Sequence, residues 1–135
     1  MSETENIIVK SLEDRWKNYR TRLKTCRREF SEDAVHDLRV ATRRLLAALD
    51  IVRTLDSSPR IRKSRRSLKS QLDNLSELRD AQVMLLDIHE TLESLPELKL
   101  FELHLQEREK SLLRSARREV KSSKPSELGR RIEKI

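Results

Sequence analysis

The chain has 135 residues, a formal net charge of +7 and 39% charged residues, against 3% aromatics and a single glycine. That make-up suits one domain of long, charge-laced helices packed through leucine, and it is poor material for β-structure. The basic surplus points to a polyanionic partner (nucleic acid, an acidic membrane surface or an inorganic polymer) or else serves only solubility.

The first predicted helix runs from about Asn6 to Arg28. Ile8, Leu12, Trp16, Tyr19, Leu23, Cys26 and Phe30 step by three or four, a sustained core seam. Trp16 and Cys26 lie in that seam and are expected in the core. A lone cysteine excludes an internal disulfide.

Ser31 is a good N-cap for the second helix. Glu32 and Asp33 suit its positive end, and Phe30 with Val35 can form a hydrophobic staple. The helix lasts to about Leu55. At about 100° per residue, Leu38, Ala41, Leu45, Ala48, Leu49 and Val52 share one apolar face. His36, Arg39 and Arg43 fall at i, i+3 and i+7 on another, with Arg44 beside them. Like charges stacked this way repel by a few tenths of a kcal/mol per pair, so an anion is expected against them.

Asp56 to Pro59 reads as a turn, with Ser58 capping a third helix that has Pro59 at its first position. Ile61, Leu68, Leu72 and Leu75 form its apolar stripe, and Arg62, Arg66 and Lys69 form a second basic stripe. Unbroken to Leu95, this helix would be about 55 Å long, against about 35 Å for the second. The apolar stripe also slips at Leu72, Leu75, Leu78 and Ala81. A bend or short turn is therefore expected between Asn74 and Arg79, with Arg79 aimed at the interior beside a carboxylate such as Asp80 or Asp37. A fourth helix then carries Ala81, Leu85, Ile88, Leu92 and Leu95.

Pro96 opens a fifth helix to about Ser122, with Leu98, Phe101, Leu105, Leu112, Ala116 and Val120 as its seam. Lys110, Arg114, Arg117 and Lys121 line its other side, diluted by Glu107 and Glu119. Residues 1–123 are thus expected as an all-α, up-and-down bundle of four to five helices, and 124–135 as a tail or linker. No signal-peptide pattern or run of about 20 apolar residues is present, and a cytoplasmic protein is expected.

The second helix carries more than periodicity. His36, then Arg39-Val40, then Arg43-Arg44 resembles the signature of the CHAD domain (conserved histidine α-helical domain). Arg79-Asp80-Ala81-Gln82-Val83 is similar to that family's second hallmark. Three positions depart from its pattern: Leu46 stands for a further Arg, Ser76 for a Gly and Gln82 for a second Asp. The family's domain is about twice as long, with a second helical repeat across a basic cleft, and this chain covers the N-terminal half. The resemblance implies binding of inorganic polyphosphate and points to polyphosphate granules. It also suggests a homodimer, since a two-fold pair places the same stripe on both sides of a cleft.

Enzyme readings fare badly. A nucleophile needs a base in reach, and neither Cys26 nor the serines have a patterned one. His36, His89 and His104 lack metal-ligand spacing, no phosphate-cradling glycine loop occurs, and no cofactor is expected. Arg and Lys on packed helices instead match closely repeated phosphate charge. The candidate polyphosphate-binding residues are His36, Arg39, Arg43, Arg44, Arg62, Arg66, Lys69, Arg79, Arg114, Arg117 and Lys121. Periodicity alone says polyanion. Nucleic acid is the alternative, disfavoured because Trp16, Tyr19, Phe30 and Phe101 all sit in apolar seams rather than on a stacking surface. A plain helical scaffold is the third reading.

Overall fold

The structure, a computed structural model, describes residues 2–55, 58–124 and 129–130. Those residues form four α-helices and no strand: α1 (Glu3–Glu29), α2 (Glu32–Val52), α3 (Pro59–Thr91) and α4 (Lys99–Ser122). A 3-10 turn, Pro96–Leu98, precedes α4, so the rigid proline opens a tighter turn before the α-helix proper. Asp56 and Ser57 of the expected turn lie outside the described residues, as does most of the expected tail. Within that tail, Gly129 is buried, and a Cβ on it would sit 2.7 Å from a carbon of the Trp16 ring.

Helix starts follow the local chemistry. Ser2 and Glu5 make a capping box on α1. The Ser31 hydroxyl accepts from the Ala34 N–H at 3.1 Å, and Pro59 occupies the first turn of α3. Between α1 and α2 the chain reverses at Phe30, whose φ of 39° is left-handed. For a residue with a Cβ that conformation costs about 1–2 kcal/mol. The Phe30 ring packs against the core and offsets the strain.

The helices run up and down, and α1 closes the bundle against α4. Its core joins Leu12, Trp16, Tyr19, Leu23 and Cys26 to Leu38, Leu45 and Leu49, then to Ile61, Leu68, Leu75 and Leu78, and finally to Ala116 and Val120. Each fully buried Leu or Ile contributes about 1.5–3 kcal/mol. The Tyr19 hydroxyl donates to Gln71 Oε1 at 2.6 Å, which satisfies both buried polar groups.

Three expectations are corrected. First, α3 is one helix, without a turn at 74–79. Its buried positions are Ile61, Ser64, Leu68, Gln71, Leu75, Leu78, Ala81 and Ile88. From Ile61 to Leu78 these alternate steps of three and four, and Ala81 and Ile88 follow on the same face. The sequence hid it because Ser64 and Gln71 are polar, while Leu72, counted as seam, is only half-buried. Second, Phe101 is 44% exposed, and Glu102 takes the buried place beside it at 4%. Lys99 Nζ lies 2.8 Å from Glu102 Oε1 and holds that carboxyl below its usual range. Third, Arg79 is half-exposed and pairs with neither Asp80 nor Asp37. Its guanidinium meets Glu32 Oε1 at 2.7 Å.

The bundle has unequal arms. The last turns of α3 and the first turns of α4 extend beyond the α1–α2 turn as a two-helix arm. Val83, Met84, Leu86, Leu100, Phe101 and Leu103 are exposed along it.

Candidate polyanion-binding groove

The groove lies between α2 and α3, and three cross-helix contacts set its register. At one end Arg79 pairs with Glu32. Next, the Arg39 guanidinium lies 3.4 Å from Ser76 Oγ. Near the other end Arg65 Nε meets Asp50 Oδ1 at 2.6 Å. On α2 the row facing α3 is therefore His36, Arg39, Arg43, Leu46, Asp50 and Arg53, an i, i+3, i+7 progression along one side of a helix.

His36, Arg39 and Arg79 come together at one end, in a pocket of about 260 Å³ that Phe30, Gln82 and two carboxylates, Glu32 and Asp33, also line. The α1–α2 reversal builds this pocket. Phe30 turns the chain, Ser31 caps α2, and the positive N-terminal end of α2 faces the same space, which favours anions. His36 is exposed. Arg39 is half-buried, and its Nε has no hydrogen-bond partner among the described residues. Burial, reinforced by the neighbouring Arg43 charge, lowers the Arg39 guanidinium below its ordinary value. Arginine stays protonated regardless, so the result is an under-solvated cation with an unused donor.

Arg62, Arg66 and Lys69 come together at the other end, in a pocket of about 530 Å³ with Arg53 and Arg65. Sequence reasoning missed the last two. Arg53 could have been found by extending the His36–Arg39–Arg43 row by nearly three further turns. Arg65 could not, because its place depends on Asp50 across the groove. Positive charge thus crosses the groove, carried by α2 at the His36 end and mainly by α3 at the Arg62 end. Arg43 and Arg44 are exposed on α2 and line neither pocket. Arg114, Arg117 and Lys121 are exposed on α4 and are not brought to either one.

The profile of the CHAD domain family matches residues 10–135. The chain belongs to the CHAD family. No curated protein and no solved structure matches it.

Both CHAD hallmarks meet at the first pocket, although some forty residues separate His36 from Arg79 in the sequence. The three departures from the CHAD pattern also lie along the groove. Ser76 is the neighbour of Arg39, Gln82 lines the first pocket, and Leu46 packs partly against the core. Among the described residues no cluster of three or more His, Cys, Asp or Glu could hold a metal ion, and no helix is long and apolar enough to cross a membrane.

Proposed function

We propose that this CHAD chain binds inorganic polyphosphate along the α2–α3 groove, as a binding module without catalysis. The observation that carries the reading is the row of cations along one groove, from Arg39 and Arg79 at one end to Arg53, Arg62, Arg65, Arg66 and Lys69 at the other. It matches a linear polyanion better than a compact metabolite. Arginine forks give phosphate oxygens paired, charge-assisted hydrogen bonds, and His36 adds a donor at the α2 N-terminal end. The CHAD family's association with polyphosphate supports the choice of polymer.

Nucleic acid remains the competitor that the test must exclude. Trp16 and Tyr19 are buried, and Phe101 lines neither pocket; Phe30 lines the first pocket but is half-buried and packed against the core, so it is the one ring base stacking could use in the groove. Competition calorimetry should therefore rank polyphosphate above RNA and duplex DNA of matched charge. Its affinity should fall steeply with salt, because phosphate contacts release condensed counterions. A flat salt dependence, or preference for nucleic acid, would refute the proposal.

The same reading pairs two copies of the chain around the polymer, with Arg39, Arg43, Arg62, Arg66 and Lys69 of each facing it. The apolar side chains exposed on the arm support association, and a bridging ligand would tighten it. Light scattering with and without polyphosphate tests the dimer, and a monomer mass in both samples defeats it. The reading also carries a cytoplasmic location on polyphosphate granules, to be checked by imaging a tagged chain.

A further inference from the structure

The α4 row that neither pocket absorbs has a counterpart on α1. Arg27 Nε donates to the Val120 carbonyl at 2.9 Å, which identifies the flank of α1 that meets α4. The other flank meets α2, where Arg22 reaches Asp37 at 3.6 Å. At about 100° per residue, Lys17, Arg20 and Lys24 fall within about 80° of Arg27, on the α4 side. Arg20 lies over the Trp16 ring, 5.9 Å from its centroid. On α4, the Glu119 carboxylate turns towards α3 and accepts from Asn74 Nδ2. Arg114, Arg117 and Lys121 project from the opposite side of that helix, on the flank nearer α1. Lys17, Arg20, Lys24, Arg114, Arg117 and Lys121 are all exposed, and none pairs with a carboxylate among the described residues. The α2–α3 groove differs, because Glu32 and Asp50 engage two of its arginines.

Six uncompensated cations on two packed helices repel one another and draw a polyanion. Among the described residues, the exposed large apolar side chains lie elsewhere, at Ile7, at the α2 C-terminal end and on the α3–α4 arm. The face therefore offers a bilayer no apolar anchor. Trp16 is buried, so stacked bases find no platform either. Closely repeated phosphate charge is the chemistry that fits. The helices close a ring in chain order, which sets the α1–α4 face across the core from the α2–α3 groove. We infer that this face is a second polyphosphate-binding surface, so that one chain bridges two polyphosphate strands. The inference rests on the polyphosphate reading of the groove. In the paired arrangement, both α1–α4 faces point away from the shared polymer.

Beads carrying end-tethered polyphosphate, loaded with the protein and washed, test this when a second, fluorescent polyphosphate is added. Wild type should recruit the fluorescent polymer to the beads. Lys24→Gln/Arg117→Gln/Lys121→Gln should still load through the groove but recruit at least about ten-fold less, as expected for the loss of three charge-assisted contacts. Arg60→Gln/Lys63→Gln/Arg108→Gln removes the same charge from exposed positions that line neither groove pocket and should recruit like wild type. Glutamine keeps helix propensity close to that of Lys and Arg, and circular dichroism verifies folding. Lys17→Gln/Lys121→Gln is the lighter variant of the same face and should shift recruitment in the same direction. A loaded wild type that recruits nothing, or undiminished recruitment by both face variants, would overturn the inference while leaving groove binding intact. So would displacement of the recruited polymer by RNA or phosphatidylserine vesicles ahead of unlabelled polyphosphate. Failure of wild type to load the beads would overturn the underlying reading as well.

Discussion

Glu32 is the side chain whose substitution separates a ligand-binding pocket from a merely structural ion pair. It stands in the first turn of α2, lines the His36 pocket and holds Arg79 at 2.7 Å. Its carboxylate therefore occupies, in the free protein, a place that a phosphate would take. A unit charge about 5 Å from a bound phosphate repels it by about 0.8 kcal/mol in water, and by about 3 kcal/mol at the effective permittivity near a protein surface. The Glu32 side chain is 72% exposed, so the lower end applies. Glu32→Gln should tighten polyphosphate binding by about 1 kcal/mol, roughly five-fold, in low salt. The gain should shrink as salt screens the charge. The stability cost is small, because an exposed pair is worth about 0–1 kcal/mol and the helix-end charge about as much. Isothermal calorimetry at two salt concentrations measures the effect, with circular dichroism to check helix content. Glu29→Gln, exposed and outside the pocket, is the control and should change nothing. Weaker binding by Glu32→Gln with helix content intact would refute the reasoning, because Glu32 would then be holding Arg79 in place for the ligand.

Arg39→Ala should weaken polyphosphate binding by about 1–3 kcal/mol, the worth of charge-assisted hydrogen bonds, with helix content unchanged in circular dichroism. The His36→Gln variant changes a donor at the α2 end of the groove and should weaken polyphosphate binding by about 0.5–1.5 kcal/mol in calorimetry, and an unchanged affinity would make the histidine structural. Tyr19→Phe strips the donor from buried Gln71 Oε1 and should cost about 1–3 kcal/mol in urea unfolding. Alkaline pH offers a second check on the same core. Burial raises Tyr19 to about 12 from 10.0 and Cys26 to about 11 from 9.0. The folded state holds both protons more tightly than the unfolded state does. Their contribution is therefore complete below about pH 9 and is lost as pH rises through 11 to 12, about 2–3 kcal/mol for each group. A Tm that stays flat from pH 9 to 11 would contradict that burial.

The sequence by itself determined the helical class, the α2 start at Ser31 and the apolar faces of α1 and α2. Caps and i, i+3, i+4 spacing act within one or two turns of the backbone, so they can be read from the residues alone. It also brought the basic rows into view, because their periodicity belongs to single helices. The continuity of α3 was not legible, since Ser64 and Gln71 hold polar places in a seam that only their neighbours reveal as buried. Nor were the partners of Arg79 and Arg65, or the exposure of Phe101. Those depend on which helix packs opposite and at what register, and on where the longer α3–α4 pair outruns α1 and α2. Only the tertiary structure decided that His36, Arg39 and Arg79 share one pocket, that Arg53 and Arg65 join Arg62, Arg66 and Lys69 in another, and that the α4 row stays apart. A periodic row fixes the direction of side chains around its own axis, and the antiparallel packing of a second helix decides what they face.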